Sequence, residues 1–187
     1  MSKYLSIAFI LVVGRLFFPL ETLQAQSMFS TSAGNTKFSS ETPLENINAE
    51  NKKSQAILNT STGEVAMRMN MKDFSFPNKL MQEHFNENYI ESDKYPTATF
   101  SGKIDQAVDY SRDGEYDASV TGKFTVHGVT KTRTIKGKIK VAGGKILLTS
   151  TFLVALADHK IEVPQIVFVK IAQNITVKAD YTLQAVK

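Results

Sequence analysis

Residues 120–141, VTGKFTVHGVTKTRTIKGKIKV, read as two β-strands folded back on each other through a short polar turn. In the first half Val120, Phe124 and Val126 fall on one face, and Thr121, Lys123 and Thr125 on the other. That period of two is the signature of a strand with one dry side. The second half repeats it, with Ile135, Ile139 and Val141 alternating with Thr134, Lys136, Lys138 and Lys140. The pair therefore shares one buried face and one basic, solvated face. His127-Gly128-Val129-Thr130 supplies the turn, where Gly128 can take a positive φ that other residues resist.

The flanking segments extend this sheet. Downstream, Gly143 and Gly144 mark a tight turn, and Ile146, Leu148, Phe152, Val154 and Leu156 share one face of a long strand. Pro164 keeps 161–163 from being an interior strand, residues 165–173 fit either a strand or a short helical turn, and Ile175, Val177, Ala179, Tyr181 and Leu183 form a closing strand. Upstream, Ala98, Phe100 and Ile104 alternate with polar residues in 97–104, and Val65, Met67, Met69 and Met71 do so in 64–72. Residues 56–59 read as a short strand and 46–53 as a polar connection holding a little helix. Residues 28–30 read as an opening strand paired with 36–40 across a turn at Ala33-Gly34-Asn35. One helical pattern interrupts the strands: Asn78 caps residues 79–88, whose Leu80, Met81, His84 and Phe85 form an inward stripe. Eight or nine strands at even spacing predict an all-β fold, and a closed antiparallel barrel is preferred to a sandwich because closure abolishes exposed edges.

Length and composition agree with one such domain. At 187 residues, 42% hydrophobic and 21% charged, the chain is globular and suits a single core. The first 25 residues read as a secretory leader: Lys3 gives a positive start, 4–13 is an apolar core, and Leu23-Gln24-Ala25 offers a small residue at a cleavage point. The mature domain would then be 26–187, exported to the periplasm or secreted. Cysteine is absent, which removes a disulfide scaffold, a thiol catalyst and a cysteine-linked lipid anchor. Without Lys3, Arg15 and Glu21 the 22 basic and 18 acidic residues become 20 and 17, a net charge of +3 spread over outer strand faces. No dense patch points to nucleic acid.

Motifs for chemistry are equally sparse. His84, His127 and His159 show no metal-ligand spacing, and a structural His127 bonded within its turn is the expectation. The sequence has no Gly-x-Ser-x-Gly elbow, no phosphate-cradling glycine loop and no carboxylate pair placed on one face. No catalytic residue, cofactor or metal is therefore assigned.

Residues 82–89 (QEHFNENY) and 91–100 (ESDKYPTATF), together with 120–131 (VTGKFTVHGVTK), resemble the YceI-like family; 38–45 (FSSETPLE) and 158–161 (DHKI) fit the same order. The likeness runs from about Thr36 to the C-terminus, and the chain reads as a divergent member. It implies an exported, lipocalin-like barrel around a long apolar cavity, and a partner that is a polyisoprenoid or fatty-acid-like chain. On this view Met67, Met69, Phe74, Phe76, Leu80, Phe85, Phe100, Phe124, Phe152 and Val154 are candidate lining residues, and His84, with Glu83 or Tyr89 nearby, would meet a polar head group. Two other readings stay open at this point: a packed barrel acting as a structural or interaction module with a surface partner site, and an enzyme with a site at the barrel mouth. Homodimer formation also stays open.

Overall fold

A computed structural model describes residues 27–186; the leader assigned to 1–25 lies outside the described residues. Eight strands, β1 (Met28–Glu41), β2 (Asn46–Asn59), β3 (Glu64–Asn70), β4 (Thr97–Ile104), β5 (Gly114–Val126), β6 (Val129–Ala142), β7 (Lys145–Ala155) and β8 (Asn174–Ala185), follow one another around a closed antiparallel barrel. The last strand pairs back onto the first, with Phe38 opposite Val177 and Phe29 opposite Ala185. The all-β, single-barrel expectation holds, and the reason is the alternation: each strand sends one side chain in two to a shared interior. Leu58, Ile146 and Leu183 are fully buried there, each burial stabilising the fold by roughly 1.5–3 kcal/mol.

The β5–β6 hairpin is paired along its whole length, from Gly114 opposite Val141 to Val126 opposite Val129. Its turn is tighter than the four residues expected. Only His127 and Gly128 lie between the strands, at φ of 51° and 69°. Two successive positive φ values twist the chain in the sense that joins right-twisted strands.

Two local expectations are corrected. Ala33-Gly34-Asn35 is not a turn; it is an irregularity inside the single 14-residue strand β1, where the pairing with β2 shifts on both sides of Gly34. The glycine serves close approach, since a Cβ there would stand 2.1 Å from Tyr181 Cδ1. Likewise 46–53 is not a connection but the first half of β2. Its polarity misled because an inward position is held by Asn51, which is fully buried, as is Ser54 just beyond it. Asn51 is satisfied internally: its amide donates to the Asn70 carbonyl (2.9 Å) and its Oδ1 accepts from the Lys53 amide (2.8 Å).

The two connections that carry helical turns, β3–β4 and β7–β8, lie at one end of the barrel with the β1–β2 and β5–β6 turns, and the β2–β3, β4–β5 and β6–β7 connections lie at the other. Helix α1 (Lys79–His84) is capped as expected, Asn78 Oδ1 accepting from the Leu80 (2.9 Å) and Met81 (3.3 Å) amides. It is shorter than the 79–88 segment expected, because residues Phe85–Tyr89 widen into a π-turn closed by the Ile90 amide donating to the Phe85 carbonyl (2.9 Å). The ambiguous stretch after Pro164 is a 3-10 helix, Gln165–Lys170.

One wall is incompletely laced. β6 and β7 pair only from Gly137 opposite Ser150 to Ala142 opposite Lys145. Beyond that point Arg133 Nη2 donates across the gap to the Leu153 carbonyl, and the guanidinium lies 5.9 Å and 5.7 Å from the ring centres of Phe124 and Phe152.

Candidate functional site

The interior is hollow at the end that carries α1. A cavity of about 400 Å³ lies beneath the helix. Strands supply its walls through inward positions: Met69 from β3, Ala98 from β4, Phe124 and Val126 from β5, Phe152 and Val154 from β7, Ile175 and Val177 from β8. Its roof is aromatic. Phe38, Phe74, Phe76 and Phe85 meet with ring centres 5.0–5.9 Å apart, Phe38 and Phe85 stacked and Phe38 and Phe76 edge to face. Such pairs add to area burial and fix the roof's shape. Polar lining is confined mainly to the rim, where Asn78, His84, Glu45 and Lys170 stand; Lys170 Nζ is 4.0 Å from Glu45 Oε2.

Below the cavity the barrel narrows. Thr36, Met69, Phe124, Phe152 and Val177 border both the main cavity and a smaller chamber of about 80 Å³. The polar element at this border is satisfied: Thr36 Oγ1 is 2.6 Å from the hydroxyl of Tyr181, which lines the chamber, and 2.8 Å from Ser54 Oγ. Burial pushes the Tyr181 phenol above its usual range, so it stays neutral.

Of the twelve candidate residues, Met69, Phe74, Phe76, Leu80, His84, Phe85, Tyr89, Phe124, Phe152 and Val154 border the main cavity. Met67 and Phe100 border the small chamber. The helical stripe is only partly inward. Leu80 is 57% exposed and α1 buries no side chain, whereas Phe85 and Ile90 beyond it are buried. Sequence reasoning missed Phe38, Ile47, Ile175 and Val177 as lining. The period-two reading of the closing strand carried the signal for the last two; Ile47 was lost with the misread first half of β2.

Histidines hold the end together. His127 Nδ1 donates to the His159 carbonyl (3.0 Å), and its Nε2 lies 2.9 Å from Glu91 Oε2. One side chain thus ties the β5–β6 turn to the segment following the helix and to the 3-10 turn Leu156–His159. This bond to His127 is the main reason the Glu91 carboxyl sits below its usual range. His159 is itself fully buried, its Nδ1 donating to the Val129 carbonyl (3.1 Å), and burial lowers its pKa. Among the described residues no group of three or more His, Cys, Asp or Glu side chains is placed to hold a metal ion.

Comparison with known proteins places this architecture. The YceI-like domain model matches residues 19–183. This chain belongs to the YceI-like family. No curated protein sequence matches it. Solved structures similar to this YceI-like chain include a polyisoprenoid binding domain from Saccharophagus degradans, at 15% identity and TM-score 0.71, over 87% of this chain and 100% of that one. Burkholderia cenocepacia BcnA aligns at 16% identity and TM-score 0.68, over 80% of this chain and 95% of that one. The YceI protein of Campylobacter jejuni aligns at 16% identity and TM-score 0.53, over 97% of each chain. At these identities the likeness is one of fold. Among the described residues of the YceI-like chain no helix is long and apolar enough to cross a membrane.

Proposed function

We propose that this protein binds a long apolar molecule, a polyisoprenoid or similar chain, inside the barrel and sequesters or carries it without covalent chemistry. The single observation that carries the reading is the 400 Å³ hollow under α1, walled by aliphatic and aromatic side chains and polar mainly at its rim. A hydrocarbon needs no reacting group to be retained, because each methylene removed from water contributes roughly 0.8 kcal/mol. Selectivity then comes from the length of the hollow and from the few polar groups at its rim. The tail would lie against Phe124, Phe152 and Val154, with the head group near His84 and Lys170. Family membership and the polyisoprenoid binding relative support the same class of ligand. The leader-like N-terminus supports an exported protein of the periplasm or exterior.

Organic extraction of protein purified from its native host, followed by mass spectrometry, tests this. A lipid at about one per protein is expected. An empty extract, together with no displacement of a fluorescent polyene fatty acid, would leave the packed interaction module as the better reading.

A further inference from the structure

We infer that the cavity end of the barrel docks on a lipid bilayer, presenting Leu44, Leu80 and Val169 as insertion points around the mouth. This rests on the lipid-carrier reading above.

Six large apolar side chains are exposed among the described residues, and three of them stand on three separate segments of the same end: Leu44 (66% exposed) in the β1–β2 turn, Leu80 on α1, and Val169 (60%) on the 3-10 helix before β8. Single exposed leucines are ordinary, but these share one place. Glu45 and Lys170, their chain neighbours, are the ion pair at the rim, and Leu80 borders the cavity with both. At the opposite end the turns are Thr60-Ser61-Thr62-Gly63 and Gly143-Gly144, the nine-residue β4–β5 connection packs Val108 and Tyr110 against the core, and the exposed apolar side chains, Ile57 (39%) and Val186 (43%), are less exposed than Leu44, Leu80 and Val169.

The arrangement fits a bilayer better than a second copy of the chain. Among the described side chains, Glu45, Lys79 and Lys170 flank the three tips, which make no continuous apolar face there of the extent a stable dimer buries. Isolated apolar tips beside lysines, here Lys79 and Lys170, suit the boundary between head groups and acyl chains. Exposed Glu41 and Glu83 lie at the same end, so attachment depends on apolar insertion more than on anionic lipid. An apolar ligand resides in membranes, and a mouth pressed to the surface lets it enter without crossing water.

The chain contains no tryptophan, so Leu44→Trp, Val169→Trp and, at the other end, Ile57→Trp each create a single reporter. With vesicles of phosphatidylethanolamine and phosphatidylglycerol carrying brominated acyl chains, emission from positions 44 and 169 should shift to the blue and be quenched, and emission from 57 should not. The double variant Leu44→Ser/Val169→Ser should co-sediment with the same vesicles about tenfold less, while binding a polyene fatty acid in vesicle-free buffer as the parent does. Equal quenching at all three positions, or undiminished co-sedimentation of the double variant, overturns the docking face. A dimer in solution with no vesicle binding overturns it in favour of a second copy. Failure of the fatty-acid binding itself would count against the carrier reading and is read separately.

Discussion

The Tyr181 hydroxyl and Thr36 Oγ1 lie 2.6 Å apart across 145 residues of sequence, joining the closing strand to the opening one beneath the cavity. Directly beside this bond Gly34 leaves room for the Tyr181 ring. Gly34→Ala would set a methyl 2.1 Å from Tyr181 Cδ1, and the expected cost is about 1–3 kcal/mol or more from overpacking. Tyr181→Phe keeps the ring and loses only the hydroxyl, so it should cost about 1 kcal/mol. Urea unfolding midpoints measure both. An alanine variant as stable as the parent, or one in which adding Tyr181→Leu recovers none of the loss, would show that Gly34 does not serve the Tyr181 ring.

Phe85 contacts three other phenylalanines of the roof. Phe85→Ala should destabilise by about 3–5 kcal/mol, the usual range for truncating a buried phenylalanine, and should shorten the retention of bound lipid. Parallel thermal melts and lipid-release rates test this, and a variant unchanged in both would show that the roof does not depend on this ring.

Filling the hollow separates binding from stability. Ile175 is half-buried and borders the cavity, so Ile175→Trp would extend into free space. Fatty-acid affinity should fall at least about tenfold, the equivalent of roughly 1.4 kcal/mol, with the melting temperature kept or raised. Undiminished affinity would place the ligand elsewhere.

Acid should weaken the fold in two stages. Burial holds the folded pKa of His159 below its ordinary 6.5, so as pH falls through 6.5 the unfolded chain takes up a proton the folded chain resists, and stability declines. Glu91, held below its ordinary 4.5 mainly by the His127 hydrogen bond, stabilises the fold above pH 4.5; that contribution is lost as pH falls further, through its folded pKa. His159→Gln, which keeps a donor for the Val129 carbonyl, should flatten the melting-temperature profile from pH 7 down to 5, and Glu91→Gln should flatten it below 4.5. Profiles parallel to the parent's in those windows would exclude each group.

The barrel was legible because alternation survives in β3 to β8: Val65-Met67-Met69 and Ile175-Val177-Ala179 point inward as their spacing requires. It failed in β2, where Asn51 and Ser54 are buried with internal partners, and polarity alone cannot distinguish a satisfied interior asparagine from a solvated one. Lining residues on regular strands were likewise readable. The roof was less so, since Phe38 joins Phe76 and Phe85 only through the tertiary approach of β1 to the helix segment, and the π-turn after His84 rotates the stripe away from ideal helical spacing. Gly34 looked like a turn because its reason for being small, the Tyr181 ring, is distant in sequence.

The pairing of β8 onto β1 has a consequence for how the molecule is made. A barrel whose final seam joins residues 29–39 to 176–185 cannot close until β8 has been synthesised. Contacts of such long sequence separation form slowly, so the first seven strands are made while the barrel is still open. Trimming the C-terminal strand should leave a species that never seals, with β1 and β7 presented as bare, aggregation-prone edges.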